Sequence, residues 1–136
     1  MTEINQVDIG YLQAGNSITI TSIKAFQKKG LVDVVAGNNF VAMMMTEKKL
    51  HILELKENTC TNNEKYDIGG TPVKGTFASE NLYILLSDNI IKKWSKGFSG
   101  KYEEASQSIN LKQPLLNIEC IRNNNKNYLI CVSQDK

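Results

Sequence analysis

The strongest constraint on this chain is an internal repeat. Val41-Ala42-Met43-Met44-Met45-Thr46 returns as Leu82-Tyr83-Ile84-Leu85-Leu86-Ser87, 41 residues later. It returns again as Tyr128-Leu129-Ile130-Cys131-Val132-Ser133, a further 46 residues on. Each copy is an apolar run closed by a hydroxyl residue. The flanks repeat as well: with the offset held at 41, Leu50 falls on Ile91 and Leu53 on Trp94. Pro72-Val73 precedes the second copy and Pro114-Leu115 the third, and Tyr66-Asp67-Ile68 corresponds to Ile109-Asn110-Leu111. Runs this short, bounded by turn formers and rich in Val, Ile, Leu and Tyr, are strands rather than helices. A run apolar on both faces suits a strand sandwiched between two sheets.

A period of roughly 40–45 residues with four short strands per unit is the blade signature of a β-propeller. The expectation is an all-β fold, a partial β-propeller of successive four-stranded antiparallel blades. The first blade covers 30–70, with strands near 31–36, 39–46, 49–56 and 64–69. The second covers 71–113, with strands near 73–78, 81–87, 89–95 and 107–112. An incomplete third blade, 114–136, has strands near 115–121 and 127–133. Gly37-Asn38-Asn39, Ser79-Glu80-Asn81 and Asn123-Asn124-Asn125 separate first strands from second ones, as turn residues do. Residues 1–29 read as two outer strands, Ile4 to Leu12 and Ile18 to Phe26, of a closing or preceding blade. Only Tyr102 to Ser106 has helical character, in a stretch too short to stand as a helix.

Two stretches resemble the WD40 family. Cys131-Val132-Ser133-Gln134-Asp135-Lys136 is similar to that family's second strand and the turn after it. Ser87-Asp88-Asn89-Ile90-Ile91-Lys92-Lys93-Trp94 resembles the stretch ending in the Trp-Asp dipeptide. The sequence departs from the pattern in places. Ser95 stands where the dipeptide has Asp, Leu53-Glu54 replaces both positions in the first blade, and no Gly-His pair precedes a unit. The resemblance implies a non-catalytic scaffold that mediates protein–protein interaction within a larger complex. Asn81 to Leu86, continued through Gly100 to Glu104, is also similar to a late blade of the non-catalytic WD subunits of tRNA guanine-N7 methyltransferases. Residues 31–56 look like part of a vacuolar-sorting propeller subunit. An RNA-processing accessory role is therefore the alternative, with a vacuolar-sorting role beside it.

Bulk properties narrow the class further. The chain has 136 residues and a formal net charge of +2, too little to mark it as a whole as a nucleic-acid binder. No apolar run approaches the roughly 20 residues of a membrane span, and the first residues lack a signal-peptide pattern. Cys60, Cys120 and Cys131 are odd in number and widely spaced, unlike a secreted disulfide framework. Cys120 and Cys131 read as small buried hydrophobes. A cytosolic or nuclear location is expected. A seven-bladed ring at this period needs about 300 residues. The expectation is therefore a piece of a longer chain, or one completed by an oligomer partner, with an uncovered blade face at each end.

Chemistry-bearing residues are sparse. His51 is the only histidine. It alternates with Leu50 and Ile52, which places it at the surface or a blade edge. No GxSxG, phosphate-binding GxxxxGK[ST] or CxxC motif occurs, so no catalytic, cofactor-binding or metal-ligating residue is assigned. The candidate partner face is basic: Lys28 and Lys29 precede the first blade, and Lys48 and Lys49 lie between its second and third strands. In a propeller both kinds of loop emerge on one side, joined here by Asp88-Asn89 and Gln134-Asp135-Lys136. Such a rim suits an acidic protein surface or RNA phosphates. Phe98, in the loop Gly97-Phe98-Ser99-Gly100, is a candidate partner anchor. Trp94 is expected to be buried between blades.

Overall fold

Every described element in the computed structural model is a β-strand. It describes residues 4–14, 18–37, 39–56, 59–111 and 113–133. An antiparallel hairpin comes first, β1 (Ile4–Ala14) with β2 (Ile18–Lys29). A four-stranded sheet follows in chain order: β3 (Leu31–Ala36), β4 (Phe40–Met45), β5 (Lys49–Lys56) and β6 (Thr59–Asp67). The second sheet is built from β7 (Pro72–Ala78), β8 (Asn81–Leu86) and β9 (Ile90–Lys96), with β10 (Tyr102–Glu104) and β11 (Ile109–Asn110) both pairing with β9. The last hairpin is β12 (Leu115–Asn123) with β13 (Lys126–Ser133).

Three apolar layers join these four sheets, and alternation along the second strands creates them. In β4, Val41 and Met43 point back onto Val7 and Ile9 of the first hairpin, with Leu53 beside them. Phe40, Ala42 and Met44 point forward onto Leu82, Ile84, Leu86 and Trp94 of the second sheet. In β8 the pattern recurs: Leu82, Ile84 and Leu86 face back, while Tyr83 and Leu85 face forward onto Leu115, Ile118 and Leu129. A strand covered on both sides must be apolar throughout, and all six residues of β4 are buried. Trp94 lies in the middle layer as expected, its ring 5.4 Å from that of Tyr66.

The repeat extends to backbone detail. The turns after β4 and β8 both place their last residue in the left-handed region, Lys48 at φ 66° and Asn89 at φ 70°. Lys48 N–H donates to Met45 O at 3.1 Å, and Asn89 N–H donates to Leu86 O at 3.0 Å. Thr46 N–H reaches Gly30 O as Ser87 N–H reaches Thr71 O. Each first strand carries a register irregularity near its start, between Leu31 and Asp33, Pro72 and Lys74, and Leu115 and Asn117. An extra residue of this kind bends the strand and increases its twist.

Polar links tie the first strands to one another. Asp33 Oδ2 accepts the Gly75 N–H at 3.2 Å, and Thr76 Oγ1 accepts the Cys120 N–H at 2.9 Å. Gly75 is small for a reason: a Cβ there would lie 2.6 Å from the Met44 methyl. Asn89 clasps the connector into the last hairpin. Its amide donates to the Leu111 and Gln113 carbonyls, and its Oδ1 accepts the Leu115 N–H at 2.7 Å.

Several expectations need correction. The outer part of the second sheet is not one strand over 107–112 but two short ones, β10 and β11. Tyr102 to Glu104, given helical character above, is extended because it pairs with β9. The third unit is offset by one residue. Leu129, not Ile130, faces back as Ile84 and Met43 do, so the second spacing is 45 for equivalent faces. Ile130 instead occupies the forward-facing position of Met44 and Leu85. Cys131 is exposed and Cys120 half-buried, where both were expected to be buried.

Candidate interaction surfaces

The forward face of the last hairpin has no sheet over it among the described residues. Alternation puts Tyr128, Ile130 and Val132 on that face, and Ile121 joins them as the cross-strand partner of Tyr128. All four are exposed by more than two-fifths, where the equivalent residues Met44 and Leu85 are sealed. Glu119, paired with Ile130, is the acid within this stripe. The opposite end of the array is different. Val7 and Ile9 turn inward, which leaves Gln6 and Asp8 on the outer face of β1, bonded to each other at 3.1 Å.

Phe98 is fully exposed. It sits at the tip between β9 and β10, in a turn closed by Gly97 N–H to Lys101 O and Gly100 N–H to Gly97 O. Gly100 takes φ 85°, a value that glycine adopts without strain. The tip thus presents an aromatic ring on a hydrogen-bonded support.

The four candidate lysines do not form one free rim. Lys29 and Lys48 are exposed. Lys49 pairs with Asp67 across β5 and β6, and this carboxylate raises its pKa. Lys28 turns inward, its Nζ 3.3 Å from Nδ1 of His51. Burial, and then the nearby Lys65 charge, lower the pKa of Lys28. Gln134 to Lys136 lie outside the described residues, while Asp88 is exposed in the β8–β9 turn.

His51 corrects the expectation of a surface residue: it is only 8% exposed. It does point away from Leu50 and Ile52, but that side of β5 is covered near Lys28 of β2. Lys65 stands directly opposite it on β6. A cleft of about 280 Å³ opens here, lined by Glu47, Lys49, His51, Lys65, Tyr66 and Asp67. Burial is the main cause lowering the His51 pKa, followed by Lys28 and Lys65, with Glu47 acting weakly the other way. Sequence reasoning missed this cluster because its members come from three different strands. Among the described residues no group of His, Cys, Asp and Glu is arranged to hold a metal ion, and no helix is long and apolar enough to cross a membrane.

The sheets, their order and their layering define the class: this is the fold of a β-propeller, built from successive antiparallel blades. Nine solved chains match it. One is a crystal structure of BBS1N in complex with ARL6DN, an N-terminal β-propeller domain. The TM-score is 0.62 at 12% identity, over 85% of this chain and 40% of that one. The chain thus spans less than half the length of this propeller. The sequence matches no protein-family model and no curated protein.

Proposed function

We propose that the chain is a non-catalytic scaffold that binds protein partners through the forward face of β12–β13. The observation that carries this reading is the exposed stripe of Ile121, Tyr128, Ile130 and Val132. A contiguous apolar sheet face, rimmed by polar residues, marks an interaction site on a folded domain. Phe98 supplies a second projection of the same chemical character, with a ring whose burial favours binding. The printed partner of the similar propeller BBS1N is a protein, ARL6DN, which agrees with this use of the fold. Trp94, at the repeat's Trp-Asp position and buried between blades, supports a WD40-like affiliation within the propellers. The basic rim expected for RNA is reduced to Lys29 and Lys48 with Lys49 ion-paired, so protein partners are favoured over RNA.

A photo-crosslinking residue placed at Tyr128 tests the proposal in cells. Crosslinks to protein should form there, exceed those from a control at the exposed Gln107, and be lost when Ile130→Lys is added. Crosslinking no stronger than at Gln107, or unchanged by Ile130→Lys, would overturn it. Ile130 is exposed by 44%, so the variant should fold.

A further inference from the structure

We propose that the cleft over the outer strands β5–β6, beside Lys28 of β2, is a binding site for a phosphate-type oxyanion, held by Lys28, His51 and Lys65. The inference goes beyond the scaffold reading and stands or falls separately from it.

His51 and Lys65 line this cleft, and a third nitrogen-bearing side chain, Lys28, stands against His51. Lys28 comes from β2, His51 from β5 and Lys65 from β6. Lys28 Nζ lies 3.3 Å from His51 Nδ1. An ammonium group can only donate, so the Nδ1 facing it is the acceptor and the ring carries its proton on Nε2. Lys65 is the cross-strand partner of His51, which sets their Cβ atoms roughly 5 Å apart on one face. Lys28 and Lys65 thus flank His51 from two sheets, and an oxyanion could accept from both.

The acids nearby do not cancel this. Asp67 is engaged by Lys49, and its side chain is mostly in solvent. Glu47, in the exposed turn before β5, is the remaining acid of the lining. In the lining these two acids balance Lys49 and Lys65 while His51 is neutral, so the excess positive charge comes from Lys28, which stands against His51. Burial and the two lysines press the imidazole and Lys28 toward their neutral forms. An anion in the cleft would reverse that pressure, since it favours the charged form of both. A volume of about 280 Å³ far exceeds the roughly 30 Å³ share of one water, so a phosphate or sulfate fits.

The single histidine makes the test direct, because its ring protons give one assignable set of NMR signals. The His51 signal would be titrated with pH in chloride, in sulfate and in acetate at equal ionic strength. Sulfate keeps its charge over this range, so only the protein titrates. Sulfate should raise the apparent pKa of His51 relative to both other salts, by one unit if protonation tightens binding tenfold. Lys65→Gln should shrink the shift, and Glu47→Gln should enlarge it. Both positions border solvent, so each variant should fold.

Superimposable titrations in the three salts would overturn the proposal, as would a sulfate shift unchanged by Lys65→Gln. Two further ligands distinguish the source. A response to inorganic phosphate and to a phosphoserine peptide assigns a phosphorylated protein segment. A response to phosphate alone assigns a small phosphorylated molecule. Failure of these tests leaves the crosslinking at Tyr128 untouched.

Discussion

Leu85 and Ile130 occupy equivalent forward-facing places in successive units, yet among the described residues only Leu85 has a sheet in front of it. Leu85 is 1% exposed and packs with Ile91 and Ile118, whereas Ile130 is 44% exposed. Truncating a buried leucine removes its transfer free energy and leaves a cavity, so Leu85→Ala should destabilise the fold by about 2–5 kcal/mol. Ile130 keeps little more than half of its burial and lines no sealed space. Its truncation should cost about 1 kcal/mol, roughly half the value of burying an aliphatic side chain. Against a total stability of about 5–15 kcal/mol the first loss is severe and the second mild. Urea denaturation of both variants, followed by far-ultraviolet circular dichroism at low protein concentration, measures the difference. Equal losses would refute the reasoning. They would mean that the forward face of β12–β13 is covered in the isolated chain, and that the open stripe is not a free surface.

Other substitutions probe other parts of the array. Asn89→Ala removes three side-chain bonds to the connector and forces alanine to φ 70°, so a loss of about 2–4 kcal/mol is expected in urea. Asn89→Gly should recover about 1 kcal/mol of that by relieving the backbone alone. Trp94→Ala should cost about 3–5 kcal/mol. Trp94→Phe should stay within about 1 kcal/mol of the parent, because the buried indole N–H that it deletes has no hydrogen-bond partner among the described residues. The folded-state pKa of His51 lies below 6.5, so the unfolded chain takes up its proton first. Its contribution to stability is therefore present above pH 6.5 and lost as pH falls through the folded pKa. The stability gap between parent and His51→Gln should narrow or reverse over that window, measured by thermal melts in chloride.

Much of the fold was legible because the chain states it more than once. The run at 41–46 and its return at 82–87 fixed which residues share a layer, and β3 to β5 and β7 to β9 lie close to their predicted places, while β6 starts at Thr59, ahead of the predicted 64. The third unit misled because matching hydroxyl to hydroxyl, Ser87 to Ser133, moved the alignment by one residue. In a strand that slip exchanges the two faces, which is why Ile130 was paired with Ile84 although Leu129 is its counterpart. The split of the outer strand into β10 and β11 carried no repeat signal, since the first blade has a single continuous β6 there. The exposed Phe98 could be singled out from its glycine-flanked loop. The cluster of Lys28, His51 and Lys65 could not. Pairing His51 with Lys65 requires the β5–β6 register, and Lys28 arrives from a separate hairpin through tertiary packing.

The extra residue near the start of each first strand has a consequence for ring geometry. An extra residue bends a strand and tightens its twist, so it changes how that sheet leans on the next. Three units carry the irregularity at matching positions, so the bend is written locally in each unit. A one-residue deletion there should straighten the strand while leaving the sealed layers' composition intact.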